Sequence, residues 1–324
     1  MKTSLLLNKI HAQFNTSKHI VFDLVKKATN KQAVKRTKIR KGFDSEVYLV
    51  DTTDDMQFIM KINRASELSY VQEAWVMDQV RNNKVPVADI LLLDSINIDG
   101  QATDVMVQSV IGGVSLQSRR INISSQQFSQ VLEKAGEILA RIHKTKVEGC
   151  WRRNDNGTWT FPDWQSLVQK TIDDRRSEMA LLIQGGLTEY QVEDIFRRQV
   201  KQAKKLDDLP LVLNHGDFMP EHIYVNDNLQ ITGIIDLGDY KGAPIIHDFA
   251  FIIFMGPNIP LESIMKGYGE ERLDCLHDAI RDYALLYGLG HLARNVKLGR
   301  KPESEFNKER IIKILNIPIG GENI

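Results

Sequence analysis

Strand and helix periods alternate along the chain and sort it into two parts. Apolar and polar positions mix only loosely up to about residue 30. From Glu46 the pattern turns strand-like through Val47, Tyr48, Leu49 and Val50. Turn residues follow at Asp51-Thr52-Thr53-Asp54-Asp55, then a second run, Phe58-Ile59-Met60-Lys61-Ile62, which together predict a hairpin. Leu68, Val71, Trp75, Val76 and Val80 recur at helical spacing, and that helix should stop before Val85-Pro86, because proline disfavours helix in the residue ahead of it. Further strands are expected at residues 89–93 and 104–110. Ile111-Gly112-Gly113 is the expected hinge, since adjacent glycines tolerate unusual backbone angles and the pattern beyond them is mostly helical.

Beyond the hinge, residues 127–143 place Phe128, Val131, Leu132, Ile138, Leu139 and Ile142 on one helical face. Residues 161–183 and 190–205 carry the same kind of pattern, and the chain from about Leu261 reads as helix with a polar tail. Between them, Leu211-Val212-Leu213 leads into His215-Gly216-Asp217. Ile223-Tyr224-Val225 is a short strand, Asn226-Asp227-Asn228 is turn chemistry, and residues 231–235 form a strand ending on Asp236. The expected domains are 1–110 and 111–324, with the hinge near 108–113.

Composition changes this picture little. The 324 residues are 42% hydrophobic and 26% charged, ordinary for a globular protein with a sizeable core. Forty-two basic residues balance 42 acidic ones, so overall charge gives no reason to expect nucleic acid or a membrane surface as partner. The basic stretch from Lys26 to Lys41 lacks interleaved aromatics and is expected to be a solvated face. Cys150 and Cys275 are the only cysteines, too few for a disulfide framework or a zinc site, which fits a cytoplasmic protein. No stretch approaches the length of a membrane span. Gly288-Leu289-Gly290-His291-Leu292-Ala293 loosely fits a dinucleotide fingerprint but sits in a helical pattern rather than after a strand, which argues against that use.

Phosphoryl transfer to an alcohol needs a carboxylate to orient the hydroxyl and take its proton, with magnesium held against the phosphates. Asp217, on a loop after a strand, can reach a substrate. His222, five positions on, can turn back towards a shared metal, and Asp236 after the next strand can supply a second ligand. His215 can be a catalytic acid or a metal ligand, but a histidine packed beneath the loop and fixing its backbone is the favoured expectation.

The segments His215-Gly216-Asp217-Phe218-Met219-Pro220-Glu221-His222-Ile223, Gly233-Ile234-Ile235-Asp236 and Ile246-His247-Asp248-Phe249-Ala250 together resemble the aminoglycoside phosphotransferase family of kinase-like small-molecule enzymes. The resemblance runs from about residue 38 to residue 270 and implies an α+β, bilobal protein-kinase-like fold. Its N-lobe would be an antiparallel sheet plus one helix, and its C-lobe mainly helical. It also implies Asp217 as base, His222 and Asp236 as magnesium ligands, and Asp248 as buried support for the catalytic loop. By the same resemblance Lys61 would contact the nucleotide phosphates and pair with Glu73, with Glu67 the competing glutamate. Gly42 and Ser45 match the loop over the phosphates, and Gln108 to Val110 match the hinge strand that meets the base. The sequence departs from the family at His222, where asparagine is usual, at a phosphate loop with the single glycine Gly42, and at Glu221, where glycine is frequent.

The implied activity moves the γ-phosphate of ATP or GTP to a hydroxyl of a small molecule, antibiotics among the candidates. Competing expectations are a nucleotide-binding pseudokinase and, more remotely, a metal-dependent hydrolase using His215 and Asp217. Residues 255–324 hold ten acidic and ten basic residues, which gives no support for a polycationic acceptor. Nucleotide preference and oligomeric state are not fixed by the sequence.

Overall fold

The structure is a computed structural model and describes residues 12–40, 44–64, 69–98, 100–206, 208–273 and 275–317. Five antiparallel strands form one sheet in the order β1-β2-β3-β5-β4: β1 Ala33–Ile39, β2 Ser45–Thr52, β3 Gln57–Asn63, β4 Ile90–Ile98 and β5 Gln101–Ser109. The predicted β2–β3 hairpin closes over the expected turn, with Val50 opposite Phe58 and Val47 opposite Lys61. Period-two alternation puts Tyr48, Val50, Phe58, Met60 and Ile62 on one face of this sheet. There they pack against Val21, Leu24 and Val25 of a helix, Lys18–Thr29. This adds a second helix to the one expected beside the sheet. Part of the basic stretch is strand β1, a sheet edge on which Val34, Lys35 and Thr37 are exposed and Arg36 and Lys38 partly so. Such lysines and arginines discourage pairing with other chains.

The other face of the sheet carries Lys61 and is covered by the helix Tyr70–Asn82, capped by Ser69 Oγ accepting from the Gln72 amide. Val76, Met77 and Val80 of this helix do not join the sheet's core. They belong to the large apolar core built by the helices that follow. The helix therefore ties the sheet to the rest of the molecule.

Gly113 has φ of +95°, and a Cβ there would lie 2.2 Å from the Val225 carbonyl oxygen, so only glycine fits that point of the hinge. Two residues on, Ser115 pairs with Tyr224 as strand β6 (Val114–Ser115) joins β10 (Ile223–Val225), which also pairs β11 (Ile231–Ile234). A further sheet runs β8-β7-β12-β9, from β7 Cys150–Arg153, β8 Trp159–Phe161, β9 Val212–Asn214 and β12 Lys241–Ala243.

The remaining core is helical. The helix Ser125–Ile142 starts with a capping box between Ser124 and Gln127, and Glu189–Lys205 with one between Thr188 and Gln191. The single helix expected over 161–183 is two, Trp164–Ser177 and Met179–Gln184, broken at Glu178. Helices Ile246–Met255, Leu261–Tyr268, His277–Lys297 and Lys301–Leu315 complete the fold, and the glycines of the loose dinucleotide pattern lie inside the third of these. No helix among the described residues is long and apolar enough to cross a membrane.

Candidate active site

Lys61 sits mid-strand in β3 on the face opposite Phe58, Met60 and Ile62, so it points at the helix Tyr70–Asn82. Its Nζ donates to Glu73 Oε1 at 2.6 Å and to Oε2 at 2.9 Å, and stands 5.5 Å from the Tyr70 ring centroid. The Tyr70 hydroxyl donates in turn to Ser45 Oγ at 2.9 Å. Burial works against the ammonium, but the charges of Glu73 and Asp236 outweigh it and hold the lysine's pKa above its usual value. Of the two candidate glutamates Glu73 is the partner. Glu67 lies outside the described residues, as does Gly42. Gln108 lies at the far end of β5 opposite Ile59, with Oε1 buried and unpartnered, and Val110 follows half-exposed.

The loop after β9 is shaped from below by Asp248, which is wholly buried at the start of the helix Ile246–Met255. Its Oδ2 accepts from the His215 amide at 2.8 Å and its Oδ1 from the Gly216 amide at 2.7 Å. His143 Nε2 lies 3.0 Å from Oδ2 on the other side. Burial alone would raise the pKa of this carboxyl. The hydrogen bond and charge of His143 reverse that and bring it down to about 2. Gly216 has φ of +85°, and a Cβ there would come within 1.9 Å of the Asp239 carbonyl oxygen. The loop thus packs directly on the segment that follows Asp236.

His215 spends both ring nitrogens on backbone. The Asp217 amide donates to Nδ1 at 3.2 Å, so Nε2 carries the proton and donates to the Ile235 carbonyl at 3.1 Å. Burial pushes this histidine down to about 4, which keeps it neutral.

His222 stands between two carboxylates. Its Nδ1 lies 2.8 Å from the Asp217 carbonyl oxygen and 3.7 Å from Asp217 Oδ2, while Nε2 lies 3.5 Å from Asp236 Oδ2. A neutral ring that donates from Nδ1 to the carbonyl leaves the Nε2 lone pair facing Asp236. Burial depresses the imidazole, but Asp217 and Asp236 more than offset it and raise its pKa. Asp217 is raised in turn by burial and by Asp236 and Asp239, against the pull of His222. Asp236 has the left-handed φ of +65° and is held low by Lys61 and His222 despite its burial.

The donor set suits a divalent cation shared with phosphate oxygens. One carboxylate and one imidazole converge, with the second imidazole nitrogen anchored on a carbonyl as metal-binding histidines usually are. Among the described residues no group of three or more His, Cys, Asp or Glu can hold a metal ion by itself.

Asp217, His222 and Asp236 are therefore brought together, and Lys61, Glu73 and Ser45 form a second group coupled to them through Asp236. The β7–β8 hairpin went unread in the sequence. Arg152 reaches from it to Asp239 Oδ1 at 2.8 Å and to the Gly238 carbonyl. The cue was present in Trp151 and Trp159 flanking an Asn154-Asp155-Asn156-Gly157 turn.

No curated protein matches this sequence. Solved structures share its fold. The GDP complex of wild-type aminoglycoside 2'-phosphotransferase-IIIa aligns with TM-score 0.65 at 15% identity, covering 93% of this chain and 98% of that one. A putative fructosamine-3-kinase from Thermobifida fusca gives 0.62 at 16% identity, over 91% and 100%. An amicoumacin kinase bound to AMP-PNP, Ca2+ and its ligand gives 0.60 at 15% identity, over 94% and 96%. These fix a bilobal kinase-like fold, an antiparallel sheet followed by a mainly helical part. The profile of the phosphotransferase enzyme family matches residues 35–286, a span holding both the Lys61–Glu73 pair and the Asp217, His222 and Asp236 cluster, and the chain belongs to that family.

Proposed function

We propose that the chain transfers the γ-phosphate of ATP or GTP to a hydroxyl of a small molecule, with Asp217 as the base. The observation that carries this reading is His222, which is anchored by Nδ1 on the Asp217 carbonyl and turns Nε2 to Asp236, so both carboxylates lie within 4 Å of one imidazole. Asp217 orients the acceptor hydroxyl and takes its proton. Its raised pKa suits a group that must pick up a proton near neutral pH. His222 and Asp236 would hold magnesium, whose charge, when bound, offsets that of the phosphates. Lys61, fixed by Glu73, presents its ammonium to the phosphates. Ser45 and Gly42 border them, and Gln108 and Val110 line the position of the base. Asp248 and His215 keep the loop backbone in place, and residues 108–113 join an N-terminal lobe of 1–110 to a C-terminal lobe of 111–324.

Proteins that share the fold include an aminoglycoside phosphotransferase solved with GDP and kanamycin, a putative fructosamine-3-kinase and an amicoumacin kinase, all kinases of small molecules. An acceptor of that broad class, antibiotic or metabolite, is the corresponding expectation here. The test is nucleotide consumption by the purified chain with magnesium and ATP or GTP against a panel of hydroxylated acceptors. Stimulation by at least one acceptor, with a phosphorylated product of matching mass, is expected. Tight nucleotide binding with no transfer to any acceptor would favour the pseudokinase instead.

A further inference from the structure

A cavity of about 670 Å³ is bordered by Gly238 and Tyr240, in the segment that follows Asp236, and is within the size range of small-molecule sites. The end of β3 and the start of the helix Tyr70–Asn82 form one wall, with Arg64 and Gln72. The β7–β8 hairpin forms another, with Arg152, Arg153 and Asp155, and Gly238 and Tyr240 close it. Tyr240 lies four residues past Asp236, at most about 14 Å along the chain, and Gly216 touches the Asp239 carbonyl between them. The cavity and the cluster thus share one short segment.

The charged side chains of this wall are three arginines, Arg64, Arg152 and Arg153, and two aspartates, Asp104 and Asp155. They are not equivalent. Arg64 is paired with the buried Glu46 at 2.6 Å, and Arg152 with Asp239 at 2.8 Å. Asp155 already accepts from Ser69 Oγ at 2.7 Å and Gln72 Nε2 at 3.0 Å. Among the described residues Arg153 makes no ion pair with a carboxylate. Its Nη1 donates to the amide oxygen Gln72 Oε1 at 3.1 Å, and its guanidinium lies 4.6 Å from the Trp75 ring centroid. Its backbone is pinned on both sides by the Tyr240 hydroxyl, which accepts from Arg153 N and donates to Arg153 O, each at 3.1 Å. A guanidinium has five N–H donors in a rigid fork that matches carboxylate and phosphate oxygens. Here the fork is held in place by Gln72 and Trp75, and the Asp155 carboxylate reaches it only through the Gln72 amide.

We propose that this cavity seats the acceptor and that Arg153 selects one carrying an oxyanion, a carboxylate or a phosphate, over a polycation. The proposal rests on the phosphotransferase reading for the word acceptor, while the binding itself does not need it. The amides of Gln72 and Asn154 and the Ser69 hydroxyl supply partners for the hydroxyl groups of such a molecule. A polycation would meet the like charge of the Arg153 guanidinium and bind less tightly for it.

Calorimetry on the full chain with gluconate, glucose 6-phosphate, glucitol and kanamycin tests this without turnover. At least one of the two oxyanion probes should bind at least tenfold more tightly than neutral glucitol and polycationic kanamycin. Preference between those two identifies the oxyanion. Arg153→Gln should weaken that binding at least tenfold, and Arg153→Lys, which keeps the charge without the fork, should weaken it less. Kanamycin binding tightest, neither oxyanion binding at 10 mM, or equal binding in Arg153→Gln would each overturn the proposal. If the glutamine variant does not fold, the ranking of probes on the wild-type chain still decides. Failure of the phosphotransferase reading shows separately, as nucleotide that no acceptor consumes.

Discussion

Asp248→Asn removes one oxygen and the charge from the carboxylate that shapes the catalytic loop, without changing its size. The three donors to Asp248 are the His215 amide at 2.8 Å, the Gly216 amide at 2.7 Å and His143 Nε2 at 3.0 Å. Either orientation of the new amide sets its NH2 against at least one of these donors. An unsatisfied buried donor costs about 1–3 kcal/mol, and bonds that lose their charged acceptor weaken by about 1 kcal/mol each. The expected loss is about 3 kcal/mol, or about 4 °C in Tm for 324 residues at about 2.1 cal/mol/K per residue. Turnover should fall on the order of 100-fold, as a displacement of about 1 Å at a reacting group does. Urea unfolding followed by circular dichroism reads the first number and acceptor-dependent turnover the second. The folded carboxyl titrates at about 2, below its unfolded value. Its contribution is therefore present above about pH 4 and lost as pH falls towards 2. The wild-type advantage should be flat from pH 7 to about 4 and shrink below. A loss under about 0.5 kcal/mol, the size of a surface substitution, would refute the claim that Asp248 holds the loop.

Gly216→Ala places a Cβ 1.9 Å from the Asp239 carbonyl in a left-handed conformation. The strain should exceed about 1 kcal/mol and abolish most turnover, and unchanged kinetics would mean the loop does not lie against that segment. Glu73→Gln keeps the shape but not the charge beside Lys61. It should destabilise by about 2 kcal/mol and raise the KM for nucleotide more than it lowers kcat, and an unchanged nucleotide KM would separate the pair from nucleotide binding. His215, His247 and His291 are each pushed down to about 4 by burial. Between about pH 6.5 and 4 the unfolded chain takes up protons that the folded one refuses, so stability should drop with pH across that window, by up to about 1.4 kcal/mol per unit for each histidine. A denaturation midpoint constant from pH 7 to 5 would contradict it, and His247→Gln should flatten the slope.

The candidate catalytic residues were legible because their spacing is local. Asp217, His222 and Asp236 lie within twenty residues, in the loops that bound the short strands β9, β10 and β11. Lys61 was legible through the family resemblance, as a lysine in the middle of the run Phe58-Ile59-Met60-Lys61-Ile62. Glu73 was harder, since helical phase relative to β3 decides between it and Glu67. What escaped depends on contacts between distant segments. Asp155 meets Ser69 and Gln72 across 86 and 83 residues. No periodicity encodes such a bridge. Glu46 read only as the start of a strand, yet it is fully buried and takes bonds from Thr16, Tyr48 and Arg64, which hold it down to about 2 against the effect of burial. The helix Lys18–Thr29 was missed because only Val21, Leu24 and Val25 of its apolar residues are fully buried, with Ile20, Phe22 and Ala28 partly so, and such a face gains meaning once a sheet lies under it.

With Asp217 as the base of a phosphoryl transfer, its loss should stop the reaction and spare nucleotide binding. The direct measurement compares the wild-type chain with Asp217→Asn for transfer from nucleotide to the best acceptor, alongside nucleotide affinity. A loss of roughly 100- to 10,000-fold in kcat is expected, the size of a general-base contribution, with nucleotide Kd unchanged within about threefold, since Lys61 and Asp236 remain. Transfer at the wild-type rate by Asp217→Asn would contradict it.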